Sequence, residues 1–320
     1  MKTEGLCYLG ERRVELRELE IPEPASDEVA VEMELCGICG WDVLSYAGRF
    51  GKFHPYPYFA GHEGIGKVTK VGERVTSVKV GQRVACHEVP IDTPGGPLLT
   101  RHAIRTDLKV SVIPDTDIPL KYWVVEPVVC IVNGLVYSGI QPGDSVALVG
   151  AGYMGLIFMQ GLAHMLAGEV VVFDVNEKRL ALATEMGANE TVQVEAGKPL
   201  GSHAKHFDVI IETAGTPDSL RMALALAKPG AIIQNFAWNH NELQFDLDEW
   251  HVNAWRILNI HPGSNPHFGD LFPRTIKLMA KGVFSNEKLV THTAAFDKPT
   301  DIFDIALDRK DGYMKGVLLF

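Results

Sequence analysis

Gly150-Ala151-Gly152-Tyr153-Met154-Gly155 lies between an apolar run, Ser145–Val149, and a stretch of helical pattern. No other six residues constrain the fold as much. On a strand-to-helix turn each glycine has its own task. Gly150 permits a tight turn, Gly152 lets a pyrophosphate approach the backbone, and Gly155 lets helix and strand pack closely. The helix N-terminus, with Tyr153 and Met154 in its first turn, offers unpaired N–H groups and a positive dipole end to phosphates. The spacing alone is weak, but Asp174 stands 19 positions after Gly155, at the end of the next apolar run. A carboxylate there can accept hydrogen bonds from ribose hydroxyls and repels a 2′-phosphate. Gly150, Gly152, Tyr153, Met154, Gly155 and Asp174 are therefore expected to bind a dinucleotide, NAD rather than NADP. Arg179 is either a further cofactor contact or, with Lys178, a charge solvating the exposed helix face.

The surrounding pattern supports a parallel sheet. Past Gln141-Pro142-Gly143-Asp144, strands at Ser145–Val149, Glu169–Asp174, Phe207–Thr213 and Ala231–Phe236 alternate with helices at Tyr153–Leu166, Glu177–Met186 and Asp218–Ala227. The first ~130 residues read instead as short strands and turns, Val29–Met33 and Gly66–Val71 among them. The end, Leu289–Phe320, returns to short strands around a helix near Thr300–Leu307. Val146–Gly168 holds no Asp, Glu, Lys or Arg, long enough to imitate a membrane helix of ~20 residues. Five glycines and His164 interrupt it, so a buried strand, a glycine turn and a buried helix is the better reading.

Composition removes several classes. The chain has 320 residues, about two domains' worth, with 30 Lys+Arg against 40 Asp+Glu and a net charge of −10. Nucleic-acid and anionic-membrane binders need a basic face, so neither partner is expected. Five cysteines cannot form a secreted disulfide framework, and Met1–Gly10 carries charges with no apolar core. A cytoplasmic chain is expected.

Cys36-Gly-Ile-Cys39-Gly-Trp-Asp42 begins like a zinc knuckle, yet there is no second CxxC, which excludes a four-cysteine site. Gly61-His62-Glu63 and Glu126-Pro127 come later. Cys39, His62 and Glu126 would supply a thiolate, an imidazole and a carboxylate, leaving the fourth zinc position open, as catalytic sites do. Taken singly, each has a bland reading: a small core thiol, an ordinary histidine, a charge at a domain edge.

Together they resemble a family. Gly61-His62-Glu63-x2-Gly66-x5-Gly72-x2-Val75 is similar to the zinc signature of the medium-chain alcohol dehydrogenases. Cys36–Asp42, Glu126-Pro127, the glycine turn and Leu289-Val-Thr-His292 follow in that family's order, so the resemblance covers nearly the whole chain. Glu126-Pro127 looks like the sorbitol, polyol and threonine dehydrogenase branch. The resemblance implies a two-domain α/β fold. A GroES-like, partly open β-barrel catalytic domain would comprise 1–133 and 285–320, and a Rossmann NAD-binding domain 134–284. It also implies one catalytic zinc on Cys39, His62 and Glu126, with Glu63 as an exchangeable or outer ligand and Asp42 orienting His62. The activity implied is hydride transfer between NAD and a small secondary alcohol or its ketone, of polyol, cyclitol or sugar-derivative type, in a homodimer or homotetramer. A zinc-free enone or quinone reductase of the same fold and a non-catalytic NAD-binding protein are the alternatives. Cys130, four residues past Glu126, reads as a buried thiol.

Two departures stand out. Many relatives carry four close cysteines after the element matching Gly81–Val84, holding a structural zinc. Here the Pro/Gly-rich stretch Pro90–Leu99 replaces them. Trp41 also occupies a position where Ser or Thr commonly passes the alcohol proton outward, and an indole N–H only donates. Leu44 offers no substitute. The aromatic stretch Tyr46–Phe59 either lines a substrate pocket or packs the core.

Overall fold

The computed structural model describes residues 1–195, 200–238 and 244–320. The middle of the chain forms six strands in the order Glu190–Gln193, Glu169–Asp174, Ser145–Val149, Phe207–Glu212, Ala227–Asn235 and Arg256–Asn259. Every neighbouring pair is parallel. Successive strands first step outward on one side of Ser145–Val149 and then on the other, so the sheet reverses its winding at that strand. Ligands of open parallel sheets bind at the carboxyl ends of strands at this kind of switch point.

In this unit the helices and strands follow the sequence pattern to within a residue or two at most ends, and the larger differences have physical reasons. The helix after the glycine turn spans Tyr153–Leu162, capped at Ala163, rather than reaching Leu166. At 10 residues it is too short to cross a membrane, and the uncharged stretch is a strand, a turn and a buried helix. Leu120–Tyr137 is the one described stretch long and apolar enough to do so, and 67% of it is buried within the fold. Ala227 opens a strand instead of ending a helix. The register steps from Phe207↔Ala227 to Val209↔Ile232, so Pro229-Gly230, a pair that ordinarily breaks an element, lies in a bulge inside the strand. Glu190–Gln193, short and half exposed, is an edge strand that its sequence does not announce.

Both chain ends build the other unit. Arg13–Glu20, Lys2–Gly10 and Tyr58–Phe59 form a three-stranded sheet. A seven-stranded sheet runs Val290–Ala295, Lys315–Leu319, Glu28–Ile38, Glu63–Val71, Arg83–Cys86 and Val110–Val112, with His102–Thr106 also paired to Glu28–Ile38. Glu28–Ile38 outruns the expected Val29–Met33, and this extension builds the site. It pairs Gly37 with Glu63 and Ile38 with Gly316, so Cys39, Glu63 and Lys315 emerge side by side from three adjacent strands.

The contacts divide the chain into Met1–Pro127 with Gly269–Phe320, and Val128–Phe268. The sequence resemblance implies boundaries at 133/134 and 284/285. The later one differs because the helix Phe268–Ala280 belongs with the first unit: Phe272 stacks on His87 with ring centroids 3.7 Å apart.

Candidate active site

Cys39 follows the central strand directly and caps the short helix Gly40–Tyr46. Its N–H donates to Oδ2 of Asp42 at 2.9 Å, and Oδ1 of Asp42 accepts from the Tyr8 hydroxyl at 3.1 Å. Tyr8 and Asp42 are both fully buried. The Cys39 turn is therefore held by a carboxylate that is itself fixed from behind.

The donor atoms of Cys39, His62 and Glu63 lie within 4.8 Å of one another. Glu63 is 2% exposed, and the equally buried Lys315 donates to its Oε1 at 2.7 Å with Oε2 at 2.5 Å. Gly37 is required here, because a Cβ on it would fall 2.1 Å from Glu63 Oε2. Burial disfavours the charged form of His62. Cys39, Asp42 and Glu126 around it outweigh that and hold its pKa well above the usual 6.5. Burial raises the Asp42 pKa, with His62 opposing the rise. Carboxylates gathered around one imidazole, with a soft sulfur donor among them, make the field and ligand chemistry that a zinc ion answers. These residues fit the metal. Glu126 is buried at the start of the helix Glu126–Tyr137 and acts on the charge of His62, but it lies outside the 4.8 Å cluster, where Glu63 is the third member. Cys130 is a buried thiol outside it too.

In the other unit the glycine turn has the spacing its three tasks require. Gly150 adopts φ +100°, and a Cβ there would meet Thr213 Oγ1 at 2.9 Å. A Cβ on Gly155 would fall 1.9 Å from the Gly150 carbonyl oxygen, while nothing lies within 4 Å of one on Gly152. The first and third glycines permit close packing, and the second leaves open space before the helix N-terminus. Asp174 is buried at its strand end; Oδ2 accepts from the Ala151 N–H at 2.6 Å and Oδ1 from the Asn176 N–H at 2.8 Å. It thus braces the turn itself, which the sequence does not reveal. Arg179, half-buried, donates its backbone N–H to the Asn176 side chain that caps its helix.

Residues 25–97 match the alcohol dehydrogenase GroES-like domain, and residues 154–281 match the zinc-binding dehydrogenase domain. This chain belongs to the zinc-dependent medium-chain alcohol dehydrogenases. The sorbitol dehydrogenase of Bacillus subtilis is 27% identical over 338 residues, spanning 95% of this chain and 93% of its own. The starvation-sensing protein RspB of Escherichia coli K12 is 29% identical over 330 residues, with 95% of each covered. The structure of the RspB alcohol dehydrogenase of E. coli CFT073, complexed with NADH, matches at TM-score 0.84 and 27% identity over 100% of this chain and 99% of its own. Zinc and NAD are the cofactors that the family match and these two sites jointly support.

Within this medium-chain dehydrogenase, Trp41 is half-buried against the edge of the core of its unit. Its ring lies 5.9 Å from that of His62, 5.0 Å from Phe50, 5.8 Å from His54 and 6.3 Å from Tyr58. The aromatic stretch is divided between roles. Tyr46 and Phe50 are core residues, the former stacked on Phe303, whereas the half-buried Trp41, His54 and Tyr58 pack ring against ring, with Trp41 beside His62. Lys315 and Tyr8, which donate to Glu63 and Asp42, and His54, against the Trp41 ring, are neighbours of these residues that the sequence does not reveal.

Proposed function

We propose that this chain is a zinc- and NAD-dependent dehydrogenase of small secondary alcohols of polyol, cyclitol or sugar-derivative type. The observation that carries the reading is the Cys39–His62–Glu63 cluster, set in a field of buried carboxylates and carried on a chain with a complete dinucleotide turn. Zinc, when bound, supplies the Lewis acidity that eases loss of the alcohol proton, and NAD supplies the hydride acceptor. Cys39, His62 and Glu126 would hold one zinc. Glu63, on its Lys315 leash, serves as the exchangeable ligand. Asp42 fixes the Cys39 backbone and balances the charge on His62. The sorbitol dehydrogenase relative supports a polyol substrate, and the faces of Trp41 and Tyr58 suit the C–H side of a polyhydroxylated chain or ring. A polyol panel followed by NADH absorbance, on protein purified without chelator, tests the reading. Zinc-loaded protein that reduces NAD with no secondary alcohol would overturn it.

Cofactor preference should follow Asp174. Asp174→Asn removes the charge that repels a 2′-phosphate, and the NAD:NADP ratio of kcat/KM is expected to fall by about tenfold, ~1.4 kcal/mol. Wild-type protein more efficient with NADP would contradict this.

Trp41→Ser is expected to widen the range of accepted alcohols and shift the pH profile of kcat/KM while zinc content stays unchanged. The smaller residue opens space beside His62 and adds a hydroxyl able to relay a proton. A lower melting temperature with unchanged range and profile would make Trp41 a packing residue only.

We further propose a homodimer or homotetramer through Arg256–Asn259. This strand ends the parallel sheet, and its outer edge carries no further strand among the described residues. Light scattering should give at least twice the 35.2 kDa of one chain; a single-chain mass at micromolar concentration would exclude it.

A further inference from the structure

Arg105 is 2% exposed on the strand His102–Thr106, and all four of its side-chain hydrogen bonds end on backbone carbonyls. Nε donates to His87 at 2.9 Å, Nη1 to Gly95 at 3.1 Å and Ile104 at 2.8 Å, and Nη2 to Gly96 at 2.6 Å. His87 and Gly95-Gly96 are the two ends of one irregular excursion, so a single guanidinium closes it. Burying a charge that satisfies only carbonyls is costly, and the planar fork recovers that cost only while the loop keeps its shape.

The clasped loop leads straight to a metal ligand. Just past Gly96, Leu98 and Leu99 are fully buried, and their N–H groups donate to the carbonyls of Gly61 at 3.0 Å and Ala60 at 2.9 Å. Gly61 has φ +95°, and a Cβ on it would meet the Leu99 nitrogen at 2.5 Å. The backbone that delivers His62 is therefore seated on Leu98-Leu99 with no slack.

We propose that Arg105 is a positioning residue of the metal centre: its guanidinium closes the 87–96 loop and, through Leu98-Leu99, sets the place of His62. This rests on the zinc reading above. The structure thereby assigns a protein cation to the region where many relatives use a second metal.

The test compares cobalt(II)-substituted wild type with Arg105→Lys and Gly95→Ala. Lysine keeps the charge but gathers its donors at one point, so it cannot span four carbonyls. Gly95→Ala leaves Arg105 intact and displaces its acceptor, because Gly95 has φ +75° and a Cβ there would lie 2.9 Å from Ile104. Readouts are the thiolate-to-cobalt and ligand-field bands, the rate of cobalt loss to a chelator, and protease cleavage within 88–96. Both variants are expected to be cleaved faster in the loop, to shift the cobalt bands, and to lose cobalt about 10–100-fold faster, as with outer-shell partners of metal ligands generally. If Arg105→Lys does not fold, Gly95→Ala carries the test alone. A folded variant with an opened loop but wild-type bands and release rate overturns the proposal. Wild-type protein with a closed loop that binds no cobalt overturns the zinc reading, and the positioning role with it.

Discussion

His62→Ala is expected to empty the metal site. Wild-type protein should carry one zinc per chain and the variant close to none, with kcat/KM lower by about 10³ or more. That is the loss of several kcal/mol of Lewis-acid assistance at 1.36 kcal/mol per factor of ten. Elemental analysis beside NADH-linked assays checks both. Two tightly bound zincs in wild type, or full activity without zinc, would refute the expectation. The pH dependence has a definite sign. Because the metal-free pKa of His62 is raised above 6.5, its proton stabilises the metal-free fold below that value, and the contribution disappears as pH rises through the folded-state pKa. Zinc needs the neutral imidazole, so its affinity must fall as pH falls through the same region, with proton release on binding.

What could be read from the chain before its structure was what depends on local rules. The strand, glycine turn and acidic strand end around Gly150–Asp174 obey constraints acting over a few residues, and the observed strands Ser145–Val149 and Glu169–Asp174 have the expected ends. Helix Tyr153–Leu162 stops early because apolar character alone cannot say where a buried helix stops. The Pro229-Gly230 pair reads as a break by propensity, but pairing with Phe207–Glu212 absorbs it as a bulge. Distance along the chain hid the rest. Lys315 is 252 positions from Glu63, and Tyr8 is 34 from Asp42. No periodicity links such pairs; the antiparallel registers of Glu28–Ile38 with Glu63–Val71 and Lys315–Leu319 join Lys315 to Glu63, and packing between the two sheets of the unit joins Tyr8 to Asp42. The same registers explain why Glu63, first residue of its strand, joins Cys39 and His62, while Glu126 arrives from a helix on another path.

Removing Lys315 should produce the largest stability effect of any single substitution proposed. Lys315 and Glu63 are 3% and 2% exposed, with the ammonium against both carboxylate oxygens. Lys315→Met leaves a buried carboxylate uncompensated, a change that costs about 3–5 kcal/mol. In a unit of this size each kcal/mol moves the melting temperature by roughly 2–4 °C, so metal-free Lys315→Met should melt roughly 6–20 °C lower. Zinc changes the outcome in a way a purely structural ion pair would not. Once its ammonium partner is gone, Glu63 becomes available as a ligand, and zinc should raise the melting temperature of the variant more than that of wild type, by the linkage between binding and folding. The double variant Lys315→Met with Glu63→Leu removes both charges and should recover most of the lost stability without recovering the larger zinc increment. Melting curves of wild type, Lys315→Met, Glu63→Leu and the double variant, each with and without zinc, form two thermodynamic cycles. Equal zinc increments in wild type and Lys315→Met would mean that Glu63 never turns towards the metal, and that Lys315 holds a structural carboxylate rather than a reserve ligand.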